Sequence, residues 1–217
     1  MTNQELFSYV DHTLLKPEAT PEQIAALCAE AAEHGTASVC VNGSYVALAK
    51  KLLDGKAKVC AVIGFPLGSM STAAKAFEAA EAIRDGADEI DMVIHIGQLK
   101  AGNTDYVLED IKAVKAAIGD HILKVIIETC LLTEEEKITM CRLVTESGAE
   151  YIKTSTGFST GGATFDDVRL FAEHVGEGVK IKAAGGIRSR EDMEEFLRLG
   201  ASRLGTSSAV KILCGKN

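Results

Sequence analysis

Apolar, β-branched runs alternate with amphipathic stretches along the whole 217-residue chain. Short runs rich in Val, Ile and Leu fit strands covered on both faces, and apolar residues recurring every three or four positions fit helices that pack by one side. The pattern predicts strands ending near Asp11, Asn42, Gly64, Val93, Glu128, Lys153, Lys182 and Gly205. It predicts helices over 21–34, 44–53, 72–85, 104–118, 133–147, 164–175, 190–199 and 207–213. A strand followed by a helix, eight times over, points to an α/β fold with a parallel sheet covered by helices. We read this as a closed (β/α)8 TIM barrel formed as a single domain over residues 1–217, with an open doubly wound sheet as the alternative.

A weak internal repeat supports closure. Helix end, glycine, small residue and strand recur at Gly35-Thr36, Gly86-Ala87, Gly148-Ala149 and Gly200-Ala201, at intervals of 51, 62 and 52 residues. Each interval spans two strand–helix units, and glycine there suits a left-handed turn out of a helix. No linker divides the chain: proline occurs only at Pro17, Pro21 and Pro66, and 159–162 is a short loop before a helix.

Composition narrows the function. The chain is 47% hydrophobic and only 5% aromatic, without Trp, so aliphatic side chains must fill the interior. Its formal charge of −8, with no basic run, argues against nucleic acid. Cys28, Cys40, Cys60, Cys130, Cys141 and Cys214 show no paired spacing, which suits a reducing compartment. No signal segment or apolar run of membrane length is visible, so a cytoplasmic location without membrane contact is expected.

In such a barrel, chemistry gathers at the C-terminal ends of the strands. Asp91 lies within the apolar run EIDMVIHIG, where an unpaired carboxylate is costly. Lys153 ends YIK before TSTGF, and Lys182 ends KIK before AAGG. A lysine amine attacks a carbonyl only when unprotonated, and burial beside a second cation favours that form. The resulting iminium accepts the electron pair of a breaking C–C bond, with Asp91 relaying protons. Singly, a strand lysine reads as a snorkelling or ion-paired side chain, and Asp91 as its structural partner. Lys180 and Glu89 share the side-chain parity of Lys182 and Asp91, one layer deeper.

Gly185-Gly186 and Ser207-Ser208 follow the seventh and eighth strands, where barrels often bind phosphate; Gly157 can join them. No nucleotide-binding glycine motif is present, and Gly64-Phe65-Pro66-Leu67-Gly68 reads as a shaped loop. His12, His34, His95, His121 and His174 lack metal-ligand spacing, leaving His95 and Glu128 as the only metal candidates. Cys40 and Cys130 read as packing residues near strand ends.

The segments VDHTLLKP, SVCVN, VIGFPLG, EIDMVIHIG, KVIIETCLL, YIKTSTGF, KAAGGIRS and RLGTSS together resemble deoxyribose-phosphate aldolases, which are class I aldolases. The resemblance implies reversible cleavage of 2-deoxy-D-ribose 5-phosphate to D-glyceraldehyde 3-phosphate and acetaldehyde, without metal or organic cofactor. It implies Lys153 as the Schiff-base lysine, Lys182 as the second lysine that lowers its pKa, and Asp91 as proton donor and acceptor. Asp11 would support the lysines and substrate hydroxyls, and Thr156 would line the pocket. Gly157, Gly185, Gly186, Ser207 and Ser208 would hold the phosphate.

Two departures stand out. Phe158 occupies a position where some members carry a phosphate-binding lysine, and the tail ILCGKN lacks a terminal tyrosine found in others. The rival readings are another Schiff-base sugar-phosphate aldolase or transaldolase, a metal-dependent isomerase, and a non-catalytic sensor of phosphorylated metabolites. A homodimer joined through outer helices is expected.

Overall fold

The structure, a computed structural model, describes residues 1–215; Lys216 and Asn217, which close the ILCGKN tail, lie outside the described residues. The first half runs α1 (Asn3–Phe7), β1 (Val10–Leu14), α2 (Pro21–His34), β2 (Ser38–Asn42), α3 (Val46–Leu53), β3 (Lys58–Ile63), α4 (Thr72–Arg84) and β4 (Glu89–Val93). Then follow α5 (Ile96–Lys100), α6 (Thr104–Ile118), β5 (Ile122–Ile126), α7 (Glu134–Ser147) and β6 (Tyr151–Lys153). The chain continues with α8 (Phe165–His174), β7 (Lys180–Ala184), α9 (Arg190–Arg198), β8 (Ala201–Thr206) and α10 (Ala209–Cys214). The strands pair in parallel in chain order, and β8 returns to β1 through Val10↔Leu204, Asp11↔Gly205 and His12↔Thr206. That last pairing makes a closed (β/α)8 barrel and removes the open-sheet alternative.

Local chemistry starts and ends the helices where the sequence pattern does. Thr20, Ser71, Thr133, Thr164 and Ser189 accept a backbone N–H from the first turns of α2, α4, α7, α8 and α9. The repeat glycines Gly35, Gly86, Gly148 and Gly200 all turn the chain at positive φ. Two short helices escape the periodicity. Five residues are too few to show it, and α1 is marked instead by the Thr2–Glu5 capping box and α5 by His95 accepting from Gln98 N–H. The predicted helix over 44–53 is a 3₁₀ turn at Gly43–Tyr45 followed by α3.

Strand ends shift in three places that matter. β1 runs on to Leu14 and β7 to Ala184, so Asp11 and Lys182 lie inside their strands, while β5 stops at Ile126, two residues short of Glu128. The last helix starts at Ala209 rather than 207, because Ser208 keeps non-helical dihedrals as its cap.

Strand alternation separates two interiors. Val39, Val41, Ala61, Ile63, Ile90, Met92, Val125 and Ile152 join the helices in one large apolar core. The opposite parity places Asp11, Ser38, Cys40, Cys60, Glu89, Asp91, Lys124, Lys153, Lys182 and Arg203 inside the barrel, all buried. The barrel is therefore sealed outside by hydrocarbon and carries its charge within. Among the described residues, no helix is long and apolar enough to cross a membrane.

Candidate active site

Asp91 is the hub of the barrel interior. Its Oδ2 accepts from Lys153 Nζ at 2.7 Å and Lys182 Nζ at 2.6 Å, and Oδ1 accepts from Lys124 Nζ at 2.9 Å. Cys60 Sγ donates to the same Oδ1 at 3.1 Å. Lys153 and Lys182 stand directly opposite one another across β6 and β7, which is why both reach one oxygen. Lys182 also pairs with Asp11. Asp11 accepts from Arg203 at 2.7 Å and from Ser38 Oγ at 2.6 Å. Glu89 closes the circuit, 2.6 Å from Lys124 and 2.9 Å from Arg203.

Burial alone would push these carboxyls up and these amines down. The pairing reverses both. Burial opposes ionisation of Asp91, but Lys124, Lys153 and Lys182 outweigh it and hold the carboxyl well below the usual range. Asp11 is held low against the same penalty by Lys182, Lys124 and Arg203. Burial works against a charged Lys182, yet Asp11 and Asp91 carry it above an ordinary lysine; Lys124 is raised likewise by Asp91 and its other anionic neighbours. Four cations (Lys124, Lys153, Lys182, Arg203) thus meet three carboxylates (Asp11, Glu89, Asp91). The further contact of Glu89 is with Lys58, which is half exposed.

Of the four interior cations, Lys153 lines the cavity at the C-terminal ends of the strands, a space of about 470 Å³. Thr156 and Gly157 line it from the β6 loop, Gly185 and Gly186 from the β7 loop, and Ser207 and Ser208 from the β8 loop. Gly157, Gly185 and Gly186 sit at φ 83°, 81° and 76°, a backbone that side chains disfavour. The 159–162 loop seats this turn: a Cβ on Gly162 would lie 2.4 Å from the Gly185 carbonyl oxygen. Ala163 N–H donates to the Ala184 and Gly185 carbonyls at 3.1 and 3.0 Å. The shaped loop after β3 also reaches the mouth, where Phe65 meets Phe158 edge to face at 5.2 Å.

The residues singled out from sequence therefore form two connected groups, a buried charge cluster and a lined cavity, joined at Lys153. Several members were missed. Lys124, Arg203, Ser38 and Cys60 belong to the cluster, and Lys16 and Arg188 line the cavity. Strand parity would have exposed Lys124 and Arg203, since each is a charge on the inner face of an apolar strand. Glu89 does lie a layer deeper, but Lys180 is exposed, its ammonium 5.8 Å from the Tyr151 ring. The metal candidates serve other tasks: His95 caps α5, and Glu128 accepts from Thr156 N–H at 3.2 Å. Among the described residues, Cys40, Cys60 and Asp91 do offer three ligand atoms within 4.8 Å. The Lys124 ammonium already holds Cys60 and Asp91 there.

Residues 6–217 match the family model described as DeoC/LacD family aldolase. The chain belongs to this family. Its aldolases are carbon–carbon lyases. A relative named deoxyribose-phosphate aldolase from Streptococcus suis (strain 98HAH33) is 59% identical over 212 residues, covering 97% of this chain and 96% of its own. One of the same name from Clostridioides difficile (strain 630) is 56% identical over 210 residues, covering 97% and 96%. The solved structure titled "QR15, an Aldolase" superposes with a TM-score of 0.94 at 40% identity, covering 97% of this chain and 95% of that one. A deoxyribose phosphate aldolase from Aeropyrum pernix, described as tetrameric, superposes with a TM-score of 0.90 at 32% identity, covering 99% and 92%.

Proposed function

We propose that this family member reversibly cleaves 2-deoxy-D-ribose 5-phosphate to D-glyceraldehyde 3-phosphate and acetaldehyde through a Schiff base on Lys153. One observation carries the reading: two lysines share one Asp91 oxygen, and the one on β6 lines the cavity. Lys182, kept charged by Asp11 and Asp91, is the second cation beside Lys153, and a neighbouring cation favours the unprotonated form of an amine.

The amine of Lys153 attacks the C1 aldehyde of the open-chain sugar, and loss of water leaves an iminium. Removal of the C3 hydroxyl proton breaks the C2–C3 bond, whose electron pair moves into the iminium to form an enamine. C3 departs as the aldehyde carbon of glyceraldehyde 3-phosphate. A proton added to the enamine carbon, then water added to the imine, release acetaldehyde and restore the amine. Asp91, bonded to Lys153, takes and returns protons directly or through water. Asp11 holds Lys182 and meets substrate hydroxyls, and Thr156 lines the substrate pocket.

Gly157, Gly185, Gly186, Ser207 and Ser208 take the phosphate. Phe158 offers no charge to it, so backbone N–H groups and hydroxyls do this work. The scheme draws on side chains alone, without metal or organic cofactor. The working form is a homodimer in the cytoplasm, where the six free cysteines are at ease.

Acetaldehyde and glyceraldehyde 3-phosphate released in equal amounts from 2-deoxyribose 5-phosphate, undiminished by EDTA, are expected. Dihydroxyacetone phosphate serving as the better donor would favour the rival aldolase or transaldolase.

A further inference from the structure

We propose that Glu128 is a positioning residue that sets the phosphate end of the cavity through the Thr156 hydroxyl; this rests on the aldolase reading above. Glu128 has φ 56° and ψ 66°, a left-handed backbone that a non-glycine residue disfavours. The other such residue among the described ones, Asp54, ends a helix, where that conformation is ordinary. Glu128 ends none: it stands between β5 and a 3₁₀ turn.

Its side chain is 2% exposed, and no lysine or arginine pairs with it among the described residues. The carboxylate instead accepts both the Thr156 N–H, at 3.2 Å, and the Thr156 hydroxyl. The two carboxyl oxygens take one donor each, Oε1 the N–H and Oε2 the hydroxyl. Because the hydroxyl proton points to Glu128, the lone pairs of Thr156 Oγ1 are free to accept Phe158 N–H at 3.0 Å. One carboxylate thereby fixes residues 156–158, three successive residues of the cavity wall.

Strand pairing does not need this contact. The backbone beside Glu128 is already tied to β6 and its loop by Ile127 N–H to Lys153 O at 3.1 Å and Thr129 N–H to Thr154 O at 2.9 Å. On the other side, Thr154 Oγ1 bonds the Ala184 carbonyl and N–H, each at 3.1 Å. The Schiff-base segment is thus held on both flanks without Glu128, and the buried glutamate acts on the loop beyond it.

Glu128→Gln keeps the size but presents an amide N–H₂ to a hydroxyl that must then reverse. Its KM for 2-deoxyribose 5-phosphate should rise about tenfold, with kcat changed less than about twofold, matching one lost hydrogen bond at the binding end. The KM for unphosphorylated 2-deoxyribose should stay put. Thr156→Val should give the same rise, and the double variant no more than either single one. Dissociation constants for inorganic phosphate should follow the same pattern.

A wild type that binds phosphate but leaves 2-deoxyribose 5-phosphate uncleaved would sink the aldolase reading, while the phosphate constants still judge Glu128. Effects that multiply in the double variant, or equal losses for both sugars, overturn the inference. If Glu128→Gln does not fold by circular dichroism, Thr156→Val decides alone, and an unchanged KM there overturns it.

Discussion

Asp91 receives three ammonium groups on two oxygens and is fully buried inside the barrel. Removing it strips Lys153 of its carboxylate partner and leaves Lys182 and Lys124 with only Asp11 and Glu89. Asp91→Ala should therefore cost about 3–5 kcal/mol of stability, besides activity; a urea-unfolding free energy lowered by less than about 1 kcal/mol would contradict the network. The pH dependence has a definite sign. Asp11 and Asp91 titrate below an unfolded carboxylate, so their stabilisation is complete above about pH 5 and lost in more acid solution. Lys124 and Lys182 titrate above an unfolded lysine, so theirs is complete below about pH 9.5 and lost at higher pH. Burial pushes the Cys28 thiol up to about 11 and Cys141 up to about 12, so the unfolded thiols ionise first and erode stability above about pH 8.5. Urea unfolding across pH should show a plateau from about 5 to 8 with falls on both sides. A steep slope across neutrality would contradict this assignment.

At the level of elements, the loops carry as much of the site as the strands. Gly162 approaches the Gly185 carbonyl so closely that a methyl group forces the turn aside. Gly162→Ala should weaken substrate binding while Lys153 remains able to form its imine; an unchanged KM would mean that the turn has slack. The strand–helix alternation made every strand legible, because hydrocarbon must cover both sides of a parallel barrel. Asp91, Lys153 and Lys182 were legible as charges inside such runs. Lys124 and Arg203 stand third in their strands, as Asp91 and Lys182 do, so inner-face parity and not distance from the strand end is the signal that finds them. The strained conformation of Glu128 leaves no mark in composition or periodicity. It became visible only with backbone angles, and its sequence reading as a metal candidate gave way to the Thr156 contact.

Across the whole molecule, a formal charge of −8 contrasts with a cluster inside the barrel in which four basic side chains meet three carboxyls. Closure itself was foreshadowed by the four helix-exit glycines, and it rests on β8 meeting β1. The same closure hides most of the thiols. Cys130 and Cys214 are exposed, and the other four cysteines are buried. An aromatic disulfide reagent at neutral pH should titrate two thiols quickly and four only after denaturation. Fast reaction of a third would mean that the barrel or its helical coat opens readily.

The central claim is an imine on one particular lysine. Incubation with 2-deoxyribose 5-phosphate, reduction with borohydride, digestion and mass mapping test it directly. The account predicts a stable adduct on Lys153 in the wild type, and neither adduct nor activity in a folded Lys153→Leu variant. A trapped adduct on Lys182 or Lys124, or full activity without Lys153, would contradict it.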